Sequence, residues 1–161
     1  LPNEAKIEYG PQNAENTIIE FMDYFCGYCK KIHPDLLKIA EERDDVRVIF
    51  LQHPILSESS KLLAEIVIAA NFQNKGFDLH DSIFSISGSI TQKKLEDSII
   101  KSEINSAQLN IDRGRPEIDQ MIQLSSFLAG GIGARGTPTF FINEEFIGGF
   151  ISKQQIISLL K

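Results

Sequence analysis

Short apolar runs mark both ends of this chain as β-structure, and apolar residues at helical spacing mark its middle. Thr17-Ile18-Ile19-Glu20-Phe21 is β-branched and aromatic and predicts a strand, which continues through Met22-Asp23-Tyr24-Phe25 into Cys26. From Gly27 to about Glu42 the apolar positions Ile32, Leu36, Leu37 and Ile39-Ala40 recur at helical spacing. Pro34 lies inside this helix, removes one backbone bond and is expected to kink it. Asp44-Asp45 makes a turn, and Val46 to Leu51 a second strand that stops at the His53-Pro54 step. Residues 1–16 carry Pro, Gly, Asn and Glu and read as a polar lead-in.

The next 75 or so residues contain no strand pattern. A helix is predicted over Ser59–Asn74, with an apolar stripe through Leu62, Leu63, Ile66, Ala69 and Ala70. Shorter ones cover Phe77–Ile86, Thr91–Lys101 and Asn105–Asn110, and a longer one follows Pro116 to Leu128. The β pattern returns with Thr139–Ile142, a turn at Asn143-Glu144, and Glu145–Ile147 as hairpin partner. Asn-Glu in place of Asn-Gly points to a longer turn. Ser152–Lys161 closes as a helix with Ile156, Ile157, Leu159 and Leu160 inward.

The element order, βαβ, helical block, then ββα, predicts an α/β fold with a right-handed βαβ unit beside a hairpin in one mixed sheet. It reads as a single domain over residues 1–161, with a helical insertion at about 57–129 packed on one side. Cys26 then lies where the first strand ends and its helix begins, at the carboxyl end of the strands where sites gather in open α/β sheets.

Composition narrows the function. With 161 residues and 42% hydrophobic content the chain suits one core, and no apolar run reaches the length of a membrane span. The N-terminus carries no signal-peptide pattern and starts at leucine, which reads as a processed chain. A net charge of −6, with Arg113-Gly114-Arg115 the nearest approach to a basic patch, argues against nucleic acid as a partner. Two cysteines three positions apart do not form a disulfide scaffold and are free for chemistry.

Disulfide exchange needs a thiolate, an accessible sulfur and a second thiol to release the mixed disulfide. Cys26 at a helix N-terminus meets the first two needs, because unpaired N–H groups and the helix dipole stabilise its anion. Cys29, one turn further in, is the resolving thiol. Half of a zinc site is the competing reading, but zinc needs four ligands, and Cys26, Cys29 and His33 supply only three. Haem attachment would need histidine where Lys30 stands. Gly136-Thr137-Pro138-Thr139 is a second signal, a proline opening a strand after a Gly-rich run.

Residues 17–34, TIIEFMDYFCGYCKKIHP, together with 130–142, GGIGARGTPTFFI, resemble the DsbA family of thiol–disulfide oxidoreductases, which have a thioredoxin-like fold. The Gly-Tyr spacer and the threonine before the proline are most similar to its ScsC-like isomerase branch. The resemblance implies a cis Thr137–Pro138 bond facing the cysteines and a Thr137 backbone that pairs with a bound substrate strand. It places Cys26 and Cys29 as catalytic residues, and Gly27, Tyr28, Thr137 and Pro138 as substrate-binding; Tyr28 also reads as a mere spacer. It implies a proton-relay role for Glu20, against which stands a strand-end carboxylate reaching water. No cofactor beyond the Cys26–Cys29 disulfide and no metal are implied.

The implied partners are unfolded or misoxidised cysteine-containing proteins of the bacterial periplasm and a membrane or soluble redox partner. Oligomerisation would run through an N-terminal extension absent from these residues. His33 and His53 read as partly exposed structural residues. Two alternatives remain open at this point: a redox-inert peptide-binding module, and a binder of soft ions such as copper(I).

Overall fold

Five strands form one mixed sheet in the order β1-β3-β2-β4-β5. The structure is a computed structural model and describes all residues 1–161. The strands are β1 (Ile7–Tyr9), β2 (Asn16–Met22), β3 (Val46–Gln52), β4 (Thr139–Ile142) and β5 (Glu145–Ile147). Between them run α1 (Gly27–Glu42), α2 (Glu58–Asn71), α3 (Gly76–Phe84), α4 (Gln92–Lys101), α5 (Ser106–Asp112) and α6 (Pro116–Gly131), and α7 (Lys153–Ser158) ends the chain. The predicted βαβ, helical block and ββα order is present.

Alternation along β2 decides what each face carries. Ile18, Glu20 and Met22 face one way; Ile18 and Met22 join Val48 and Phe50 of β3, Ile32, Leu36 and Ile39 of α1 and Ile156 of α7 in the larger core. Ile19 and Phe21 face the other way, where Phe21 packs with Ile49, Leu51 and Ala129. Because β2 pairs in parallel with β3 and antiparallel with β4, it is the central strand, and its carboxyl end points into the loop that carries the cysteines.

Four expectations need correction. The lead-in is not bare: β1 adds to the free edge of β3, with Ile7 opposite Phe50 and wholly buried. Three residues are too short for a local pattern, and the strand exists because β3 supplies its partner groups. The insertion is not confined to one side, since α6 ends with Ala129 buried on the opposite sheet face. The β4–β5 turn is tight, with only Asn143 and Glu144 between paired Ile142 and Glu145, and both take positive φ (45° and 76°). Asn143 holds it shut, accepting from the Thr17 N–H at 3.0 Å and donating to Asn16 Oδ1 at 2.7 Å. Finally, Ile157 is 38% exposed while Ile156 is buried, because neighbours on a helix lie 100° apart and cannot both face in. Helix α1 runs through Pro34 without a break; Pro34 is on the exposed face, where water can take the carbonyl it leaves free.

Glu144 is exposed and occupies a left-handed conformation that costs a non-glycine residue about 1 kcal/mol. Glu144→Gly should therefore stabilise the fold by about that amount, read as a raised denaturant midpoint with an unchanged slope.

Candidate active site

At the end of β2 the chain must turn sharply into α1, and Asp23 makes the turn. Its carboxylate is buried and accepts three backbone N–H bonds, from Phe25 at 2.9 Å and from Ile55 and Leu56 at 3.0 Å each. Its carbonyl accepts the Cys26 N–H at 3.0 Å. One side chain thus ties the cysteine loop to the loop leading into the insertion. Cys26 emerges as the N-cap of α1, in extended conformation, with its sulfur accepting the Cys29 N–H at 3.2 Å.

Both thiols are free. Cys26 is 7% exposed and Cys29 0%, so the sulfur expected to attack is less accessible than the sequence reading had it, yet it is the only one of the two that reaches solvent. From across the site the cis Thr137–Pro138 segment meets it, and the Cys26 thiol donates to the Thr137 carbonyl at 3.3 Å. The Thr137 hydroxyl is buried without a partner. Once Cys26 ionises it can no longer donate to the carbonyl, and this hydroxyl is the donor left to turn towards the sulfur.

These contacts separate the two thiols. Cys26 is lowered to about 6, chiefly by a hydrogen bond from the Cys29 side chain and further by the Thr137 side chain and the N–H groups of Cys29 and Tyr28, against the opposing effect of burial. Cys29 is pushed strongly up by burial first, then by giving its hydrogen bond to Cys26 and by the negative charge of Glu20. Sulfur reactivity and sulfur shielding therefore divide between the residues as the sequence implied.

Glu20 is wholly buried, and neither of its carboxylate oxygens has a hydrogen-bond partner. The expectation of a strand-end carboxylate reaching water is overturned, because Glu20 lies in the middle of the central strand on the face that α1 covers. Burial raises its pKa well above the ordinary carboxylate range, and the Cys26 charge raises it further.

The spacer is open to solvent. Gly27 is exposed, and an added Cβ there would meet nothing, so space does not require a glycine. Tyr28 is 59% exposed and rests on Phe150, ring centroids 5.3 Å apart. Beside Pro138 a surface groove of about 270 Å³ is lined by Arg135, Thr137, Phe146 and Gly149 among others. A larger depression of about 670 Å³ lies elsewhere, polar and lined by β1 and its surroundings.

His33 was expected to be partly exposed and is instead 3% exposed, its Nε2 bonded to Asp81 at 2.8 Å and its ring packed against Phe84 and His80. It does not join the two sulfurs in a ligand set. His53 is half-buried and bonds Ser126. Sequence reading missed the buried chain beneath the cysteine loop, in which Gln52 donates to the Tyr24 hydroxyl at 3.0 Å and that hydroxyl meets His80 Nδ1 at 2.7 Å. Burial and the neighbouring His33 hold His80 well below the usual imidazole value. No local signal marks these residues, which come from three separate elements. Asp23 could have been found, since an Asp just before a turn commonly accepts the N–H two residues on.

The thioredoxin family model matches residues 2–161. Among solved structures, a thioredoxin-like oxidoreductase from Silicibacter pomeroyi DSS-3 superposes with a TM-score of 0.90 at 26% identity, covering 96% of this chain and 90% of that one. The thiol-disulfide exchange protein alpha-DsbA2 from Wolbachia pipientis gives 0.86 at 26% identity, covering 94% and 83%. The catalytic domain of Proteus mirabilis ScsC gives 0.85 at 23% identity, covering 98% and 88%, a likeness of fold. The chain spans about a fifth (21%) of the length of two curated relatives, Na⁺/H⁺ antiporters of Salinispora arenicola and Salinispora tropica, at 23% and 25% identity over 83% of this chain.

A folded pKa of about 6 for Cys26 lies below the value of about 8.5 for a free cysteine. Ionised Cys26 thus favours the reduced fold in full above about pH 8.5, loses that contribution as pH falls, and has none below about pH 6. Thiolate absorbance should titrate near 6 in the wild type and vanish in Cys26→Ser. The stability difference between the reduced wild type and Cys26→Ser should shrink across the same window in denaturant titrations.

Proposed function

Because the chain belongs to the thioredoxin family, we propose that it exchanges disulfides in other proteins through Cys26 and Cys29, as an oxidase or isomerase of exported proteins. One observation carries the reading: an acidified thiol at a helix N-terminus lies directly over a fully buried partner thiol and faces Thr137.

In the reducing direction the Cys26 thiolate attacks one sulfur of a client disulfide. That S–S bond breaks, the released client thiolate takes a proton from water, and a Cys26–client disulfide remains. Cys29 then gives its proton to the Glu20 carboxylate and attacks the Cys26 sulfur. The mixed disulfide breaks, the second client thiol leaves, and two electrons have passed from the protein to the client as the Cys26–Cys29 disulfide forms. Oxidation is the reverse, and isomerisation returns the electrons within one client. A carboxyl lifted well above its ordinary range is a stronger proton acceptor than an ordinary Glu, which suits it to take this proton and hand it on.

The Thr137 backbone and the groove beside Pro138 would hold the client as an added strand, with Gly27 and Tyr28 facing it across the site. A stabilised thiolate favours the reduced state, so the disulfide is more oxidising by about 30 mV per pKa unit. A Cys26 value of about 6 lies between those of strongly reducing and strongly oxidising relatives. The two sulfurs carry the electrons, so the reaction needs no added cofactor. Misoxidised proteins of the bacterial periplasm and a membrane or soluble redox partner complete the cycle in this reading, which rests on the DsbA-like motifs.

Cys29→Ser should accumulate client proteins in mixed disulfides on non-reducing gels and Cys26→Ser should accumulate almost none, while the wild type turns over in insulin reduction or scrambled-ribonuclease refolding. Equal trapping by both variants would sink the division of labour, and absent turnover would favour a redox-inert binder. For Glu20, Glu20→Gln should slow resolution of a preformed Cys26 mixed disulfide by about a hundredfold at neutral pH. It should also raise stability there, because folding no longer has to strip water from a carboxylate or protonate it. Stopped-flow release of the client thiol, against pH, reads the first effect, and denaturant midpoints read the second.

A further inference from the structure

Each of two grooves has a neighbour of Cys26 in its lining, Thr137 in one and Phe25 in the other, and the reaction described above uses only the one beside Pro138. The second opens on the insertion side and has a volume of about 390 Å³. Its apolar wall is made by Leu62 and Ile66 of α2 with Ile90 and Leu95 from around α4, and its near edge is Phe25, the residue before the reacting cysteine. Phe25 and Leu62 are each 41% exposed, so this wall is not closed by the protein itself. The Phe25 N–H is fixed to Asp23, which holds the ring on the insertion side while the next residue's sulfur meets Thr137.

The one charged residue in the lining is Arg113, which makes no ion pair. Neighbouring Arg115, in contrast, pairs with both Asp112 and Glu117. In a chain of net charge −6, an unpaired guanidinium over an apolar wall is complementary to an apolar segment carrying a carboxylate. The groove also begins one residue from the cysteine, at Phe25. Successive Cα atoms are about 3.8 Å apart, so a client residue within about three positions of its own cysteine reaches past Phe25.

We propose that this groove binds a bulky apolar side chain lying within a few residues of the client's reacting cysteine, with a nearby Asp or Glu of the same segment paired to Arg113. The proposal rests on the disulfide-exchange reading and adds a client preference to it: unfolded segments in which the cysteine is flanked on one side by an apolar and an acidic residue. Folded proteins rarely present such a run, since its apolar residue is ordinarily buried. The site would therefore favour chains that have yet to fold.

The test uses four short peptides, each with a single cysteine joined to glutathione as a mixed disulfide. Two positions beyond the cysteine carry Leu-Glu, Leu-Lys, Ala-Glu or Ala-Lys. Reduced protein converts each to free peptide thiol and free glutathione as its own Cys26–Cys29 disulfide forms, and the peptide thiol is measured over time. The readout is the ratio of rates between peptides on one protein, so a variant that is merely less reactive leaves it unmoved. Wild type should convert the Leu-Glu peptide about tenfold faster than Ala-Lys, equivalent to about 1.4 kcal/mol. Arg113→Glu should invert the Glu-over-Lys preference, and Leu62→Ser should erase the Leu-over-Ala preference while leaving the charge preference in place.

Equal rates for all four peptides on the wild type, or unaltered ratios in both variants, would overturn the proposal. So would dimerisation of the free protein, lost in Leu62→Ser, since a second copy would then own the groove. Failure of the wild type to convert any peptide would refute the disulfide-exchange reading itself, an outcome distinct from loss of selectivity.

Discussion

The bond from the Cys29 N–H to the Cys26 sulfur, at 3.2 Å, links fold and chemistry in one contact. A helix begins with backbone N–H groups that have no partner, and a capping side chain normally supplies an oxygen. Here the cap is a sulfur, so the group that satisfies the helix is also the reacting atom. Ionising that sulfur strengthens the cap, which adds to the acidification that the Cys29 side chain chiefly causes and favours the reduced fold. The rest of the structure keeps the sulfur at that position: Asp23 turns the chain, the central strand delivers it, and Thr137 approaches from just before the neighbouring strand β4.

Around this contact the protein buries more polar groups than packing alone would select. Glu20 has no partner for either oxygen, and Gln52, Tyr24 and His80 form a chain under the loop. Unpaired burial of a carboxyl is destabilising by several kcal/mol in apolar surroundings unless the group takes up a proton. For Glu20 the raised pKa is the consequence, and it leaves a carboxyl that holds its proton more readily than an ordinary Glu beneath the cysteine loop.

The insertion does two things for the site. It closes the polar chain from outside the sheet, with His80 and Asp81 on α3 reaching Tyr24 and His33, and it walls the groove that starts at Phe25. A thioredoxin-like half without these helices would leave His33 open to solvent, which is how the sequence read it. The α3 helix also packs on β1, where Phe77 stacks on Tyr9 at 4.6 Å, so the insertion and the edge strand support each other.

Much of this was legible in the chain. Apolar spacing located α1, four of the five strands and most of the insertion helices to within a few residues, because periodicity and turn chemistry act within a window of a few residues. The same locality placed Cys26 at a strand–helix junction with Cys29 one turn on and shielded. What it could not reach depends on partners distant in sequence. Thr137 stands 111 residues from the sulfur it faces. Ile7 to Tyr9 are a strand only because β3 has a free edge, and Asn143 tightens its turn only by reaching β2. Glu20 and His33 were open questions or wrong because burial is a property of the packed whole: an alternating strand shows which residues share a face, and only the register of five strands and the helix laid over them decides which face is dry.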